Sequence, residues 1–328
     1  MGIDSTHRRF SWKGALARHS SALIFLFLFA CFSLLSGRFL RIGNVVNILE
    51  QSSLLAVVAI GITFPIITGG IDLSVGSLVA LCGALAAGLV TGHAVPVPLA
   101  IAMVLALGAL LGGINGFIIV AGRFQPFVVT LATMAITRGA TLVYTQGRPI
   151  SGIPASFTFL GDRVAGVPVS LLILLIILIL FQGLLRFTPF GAHLYALGGN
   201  EETARLAGIS VHWIKIGAYS ISGGMAALGG IILTARLWSA QPQAAVGLEL
   251  QTIAAAVLGG VSLAGGSGGL AGTLLGALLM GTLANGLNLL GISSYLQQVI
   301  IGAIFIAAVM LDLWTKEMHG ESSQGALS

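Results

Sequence analysis

Two stretches of this chain carry no charged side chain over lengths that no water-soluble fold sustains. They are Leu73–Gly122, 50 residues, and Leu250–Leu311, 62 residues. A soluble domain draws roughly 25% of its residues from Asp, Glu, Lys and Arg. Here the share is 8% of 328 residues, while 56% are hydrophobic. That leaves too little charge to clothe the surface in water, so the surrounding solvent is lipid. The net charge of +5 is explained by Lys and Arg gathering at cytoplasmic membrane borders, which sets nucleic acid aside. Cys31 and Cys82 lie in apolar stretches and offer neither metal-ligand spacing nor a disulfide framework.

A membrane-crossing helix needs about 20 apolar residues. Measured against that length, the chain holds Ser20–Gly37, Gln51–Ile71, two spans in Leu73–Gly122 broken at Thr91–Pro96, Phe124–Gln146, Val164–Leu185, Ile216–Ala235 and three spans in Leu250–Leu311. The last three divide at Gly265–Gly269 and Gly291–Ser294. The expected fold is therefore an all-α polytopic membrane protein of about ten helices. A cleaved signal peptide is the alternative for the first span, but its apolar stretch is too long and no small-x-small site follows. Residues 1–19 read as a cytoplasmic segment, 20–313 as one transmembrane domain containing a cytoplasmic loop at 187–212, and 314–328 as a cytoplasmic tail.

With the N-terminus inside, the inner segments hold Arg8, Arg9, Lys13, Arg18, Arg123, Arg186, Arg205, Lys215 and Lys316. The outer ones hold only Arg38, Arg41, Arg148, Arg163 and Arg236. This bias favours cytoplasmic termini.

Two stretches echo each other. Gly69-Gly70-Ile71-Asp72-Leu73-Ser74-Val75-Gly76-Ser77 resembles Gly259-Gly260-Val261-Ser262-Leu263-Ala264-Gly265-Gly266-Ser267, and Gly108-Ala109-Leu110-Leu111 with Asn115-Gly116 resembles Gly276-Ala277-Leu278-Leu279 with Asn285-Gly286. An odd number of spans separates the two Asn-Gly pairs, so the halves would run in opposite directions. Inverted repeats with interrupted helices are a common transporter design. The other reading of the 46 glycines is close helix packing.

The longest polar stretch ends in a short helix signature. Asn200 suits the N-cap, Glu201 and Glu202 the first turn, Arg205 the last turn and Gly208 the C′ position. So short a helix needs a surface to dock on, which points to a cytoplasmic partner; the alternative is a solvated loop helix. Asp72 is the only acid between Glu50 and Asp162; it either caps the third helix or lines a pathway. Arg138, within the fifth span, needs a partner, and Asp72 is one candidate. Asn115, Asn285, Asn288 and Ser74 are the other polar pathway candidates.

Gly265-Gly266-Ser267-Gly268-Gly269 matches a nucleophile-elbow pattern, but an elbow requires a strand-to-helix turn and a base within reach. The only later His is His319, so no catalytic residues and no metal site are assigned. The three lysines, Lys13, Lys215 and Lys316, do not follow Gly, so the chain has no phosphate-binding loop of its own.

The segments Gly70–Ser77, Tyr195–Glu201, Leu258–Gly266 and Asn285–Gly291, in that order, resemble the permease subunit of bacterial ABC sugar importers, the branch containing the ribose permease. The likeness runs from about Arg38 to Leu313. It implies a fold similar to the cobalamin importer permease and a dimer of permeases, most simply a homodimer, in the bacterial inner membrane. It further implies a separate ATPase that binds ATP and a periplasmic sugar-binding protein, with no cofactor on this chain. By the same resemblance Asn200–Gly208 would seat in the ATPase, and Arg148, Arg163 and Arg236 would face the binding protein. The rival class is an ion-coupled transporter using Asp72.

Overall fold

In hydrocarbon a backbone must satisfy its own hydrogen bonds, and a helix does so within one segment. A computed structural model describes the backbone of residues 12–324 and the side chains of residues 21–310. Residues 1–11 and 325–328 lie outside the described residues, as do the side chains of Lys13, Arg18 and Lys316, so the expected N-terminal segment and tail are largely undescribed.

The helices are α1 (Trp12–Leu35), α2 (Ile42–Ile67), α3 (Val75–Thr91), α4 (Val97–Gly122), α5 (Pro126–Thr145), α6 (Ala155–Thr158), α7 (Val169–Phe187), α8 (Pro189–Gly199), α9 (Glu201–Leu206), α10 (Val211–Leu237), α11 (Leu248–Leu258), α12 (Leu270–Leu289) and α13 (Ser294–Gln324). Among the described residues six of them, α2, α4, α5, α7, α10 and α12, are long and apolar enough to cross a membrane. Four shorter apolar helical stretches accompany them: Ser21–Leu35, Val75–Thr91, Leu248–Leu258 and Ser294–Met310. The molecule is a polytopic helical membrane protein.

Several span boundaries differ from the sequence reading. α2 begins at Ile42 rather than Gln51, because the charge of Glu50 is matched by Arg163 and Arg236. The sixth span starts at Val169 rather than Val164. Residues 163–168 instead form a small hairpin, β1 (Arg163–Val164) and β2 (Val167–Pro168), pairing Arg163 with Pro168 and Val164 with Val167. Among the described residues this two-stranded hairpin is the one sheet in a mostly helical fold. Within α7 Leu174 is buried in the main core, so one side of the Leu171–Leu180 run packs against protein. The eighth span is an 11-residue helix, α11, followed by a non-helical stretch at 259–269.

The core is centred on α2 and α10. α2, α10 and α12 bury most of their apolar windows, whereas α4, α5 and α7 bury less than a third. α10 packs on α4 through missing side chains. A Cβ on Gly108 would lie 2.6 Å from the Gly223 carbonyl oxygen, one on Gly116 would lie 2.7 Å from the Ile216 Cα, and one on Gly112 would overlap the Tyr219 carbonyl. These three glycines are spaced by four, the interval that lines up one face of a helix, and such approach drives helix association in lipid.

Candidate functional site

The buried polar centre is built on the break between α2 and α3. Asp72 is fully buried. Its Oδ1 accepts hydrogen bonds from the Ser74 backbone N–H (3.0 Å) and Ser74 Oγ (2.5 Å), and its Oδ2 accepts one from Ser222 Oγ on α10 (2.7 Å). The Ser74 bond satisfies a donor at the start of α3 that would otherwise be orphaned. Asn115 Nδ2 on α4 donates to Ser74 Oγ (3.2 Å), and Thr133 Oγ1 on α5 donates to Asn115 Oδ1 (2.6 Å). Ser77 and Thr137 hydroxyls meet at 2.6 Å beside them. One acid therefore ties together α3, α4, α5 and α10.

Asp72, Ser74 and Asn115 are thus brought together, whereas the other pathway candidates lie elsewhere. Asn285 exchanges hydrogen bonds with Asn44 at the start of α2 (3.0 Å each way), and Asn288 accepts from Gln297 (2.7 Å). Arg138 does not pair with Asp72. It donates to the Pro242 and Ala244 carbonyl oxygens (3.1 and 3.0 Å) and so holds the loop ahead of α11.

A second group lies around α9. Asn200 Oδ1 accepts from the Thr203 N–H (2.8 Å), as an N-cap side chain does. Gly208 follows the helix with φ of +83°, the left-handed turn that closes a helix C-terminus. Ala204 is buried, while Glu201, Glu202 and Arg205 stay exposed. Arg205 pairs with Glu202 (2.7 Å), and Lys215 with Glu201 (2.6 Å). The hydrogen bond that Arg205 donates to Glu202 raises the guanidinium pKa above its ordinary value.

Beside α9 opens a cleft of about 640 Å³ between the α4–α5 turn and the start of α10. Arg123, Arg205, His212 and Lys215 line it together with Glu201. Basic residues assigned to the inner segments from charge bias therefore meet in one place.

Two residues assigned to the outer segments meet as well. Glu50, nearly buried, binds Arg163 at 2.9 Å and Arg236 at 2.7 Å, and Arg163 also donates to Asn47 Oδ1 (2.8 Å). Two of the three expected docking arginines are thereby committed to an internal acid. Arg148 stays exposed.

The sequence reading missed Glu50, Ser222 and Thr133 as site residues. Thr133, Thr137, Thr141 and Thr145 recur at every fourth position of α5, a polar stripe that was visible in the sequence. Ser222 carried no such signal.

A bundle of apolar helices with interrupted spans and a buried polar centre defines a membrane permease architecture. The chain belongs to the family described as the branched-chain amino acid transport system permease component, whose model matches residues 44–309. Among its relatives, the ribose import permease RbsC of Escherichia coli K12 is 48% identical, over 93% of this chain and 96% of that protein. RbsC of Bacillus subtilis is 44% identical, over 94% and 97%. The D-allose transport system permease AlsC of Escherichia coli K12 is 37% identical, over 90% and 91%. No solved structure matches the chain.

Proposed function

We propose that this protein is the permease subunit of an ATP-driven importer for a monosaccharide, ribose foremost. In this reading sugar arrives from a periplasmic binding protein, ATP is hydrolysed on separate subunits, and two copies of this chain, as a homodimer in the inner membrane, enclose the path. The observation that carries the proposal is the 48% identity to a ribose import permease along nearly the full length of both chains.

The six long and four shorter apolar helices would be the ten spans, with both termini cytoplasmic. The two echoed segments would mark the breaks of two opposed halves, a fold like that of the cobalamin importer permease. The first is non-helical up to Ser74 and the second throughout, and they lie close together: a Cβ on Gly265 would fall 2.8 Å from the Gly69 nitrogen.

α9 is the surface for the ATPase. It is capped and charged, yet too short to persist without a surface to rest on. The cationic cleft beside it would extend the docking surface to Arg123. Asp72, through its bonds to Ser74 and Ser222, holds the interrupted helices in register. An ion-coupled mechanism through Asp72 is not favoured, because relatives that match nearly the full length of the chain are ribose import permeases. Of the outer arginines, Arg148 is free to meet a binding protein, while Arg163 and Arg236 would shape that surface through Glu50.

Charge reversal tests the docking assignment. Glu201 and Arg205 are exposed, so Glu201→Lys and Arg205→Glu should leave membrane insertion intact while the ATPase no longer co-purifies. Unchanged co-purification in both variants would refute the assignment of α9.

A further inference from the structure

The residues just ahead of α9 form an unusual junction. Three backbones converge there: the end of α2 at Ile67–Gly69, the end of α8 at Gly198–Gly199, and the α11–α12 connection at Gly265–Gly266. The Gly266 N–H donates to the Ile67 carbonyl oxygen at 2.9 Å. A Cβ on Gly198 would overlap both that carbonyl and the Gly266 nitrogen. A Cβ on Gly265 would lie 2.8 Å from the Gly69 nitrogen and 2.9 Å from the Gly198 carbonyl oxygen, and one on Gly266 would lie 2.9 Å from the Gly199 nitrogen. Real Cβ atoms do not approach backbone so closely, so only glycine fits. Tyr195 adds a hydrogen bond from its hydroxyl to the Gly268 carbonyl oxygen (2.9 Å).

The place of this junction gives it a function. Asn200, the cap of α9, follows Gly199 directly, so α8 links α9 to the junction without any loop. On the other side, only Gly70 and Ile71 separate Gly69 from Asp72, which grips α3 and α10. Main chain packed on main chain has no rotamer to absorb a shift, and close-packed interiors transmit strain. We propose that Gly198 is a positioning residue of transport. Through its side-chain-free contact, displacement of α9 is passed at once to both interrupted segments, the α2–α3 break and the α11–α12 break.

This rests on the ATP-driven reading above, and the test separates the two. The full complex, with ATPase and binding protein, is reconstituted in vesicles, and labelled ribose taken up per ATP hydrolysed is measured. Gly198→Ala, a change that favours helix in isolation, should keep ATP hydrolysis yet lower ribose per ATP about tenfold, the scale of coupling between distant sites. Gly199→Ala, with nothing within 4 Å of its added Cβ, should match wild type. A purely structural role for Gly198 would reduce the amount of complex and leave the ratio unchanged.

A wild-type ratio in Gly198→Ala overturns the proposal. Should that variant not assemble, Gly266→Ala presses on the same junction more mildly, its added Cβ falling 2.9 Å from the Gly199 nitrogen, and a wild-type ratio there overturns the proposal equally. Absence of ATP-driven uptake by the wild-type complex would instead refute the importer reading itself.

Discussion

Asp72 shows what one residue contributes when its partners come from far along the chain. Its bonds to Ser74 are local, and an acid three residues ahead of the first residue of α3 was legible in the sequence as a cap. Its bond to Ser222 spans 150 positions, and no local pattern announces such a partner. The same division explains Glu50, whose arginines lie 113 positions away or further: in the sequence it looked like a span boundary, and in the fold it is neutralised inside one. α9 was legible throughout, because capping by Asn200 and the turn at Gly208 involve only near neighbours. Removing a bond to a charged acceptor costs about 1.5–3 kcal/mol. Ser222→Ala should therefore lower the stability of the purified protein by about that amount. Thermal unfolding in detergent, followed by the fraction remaining monodisperse, reads the change. A variant as stable as wild type would mean that the α3–α10 tie is not held by Asp72.

Among the elements, the ends of helices were harder to read than their existence. Apolar length alone located each apolar helix, since lipid enforces helical hydrogen bonding on any stretch that crosses it. Ends depended on turns and pairings: the Ala165-Gly166 hairpin turn delayed α7, and Gly259-Gly260 cut α11 short of a full span. The packing of α4 on α10 was also readable, because Gly108, Gly112 and Gly116 recur at intervals of four. What the sequence could not supply was the facing residue, the Tyr219 carbonyl in the case of Gly112. A methyl group there has no room, and overpacking of this kind costs about 1–3 kcal/mol. Gly112→Ala should therefore destabilise the protein, whereas Gly139→Ala, with open space around its added Cβ, should not. Equal melting behaviour of the two variants would show that α4 and α10 do not rely on backbone approach.

At the scale of the whole molecule, charge is sparse and its placement is informative. Basic residues gather in the cleft beside α9, and Glu50 with its two arginines closes the opposite group, while between them lies a core whose only fully buried acid among the described residues is Asp72. The glycine junction joins α9 to that core. This arrangement suits a machine driven from outside its own chain, in which a partner moves α9 and the interrupted helices follow. The most direct test is uptake of labelled ribose into vesicles containing the permease, with its ATPase and binding protein added or withheld. The account predicts uptake only when both partners and ATP are present, and no loss of uptake when ionophores collapse the ion gradients. Uptake by the permease alone, driven by a gradient and abolished by ionophore, would contradict it.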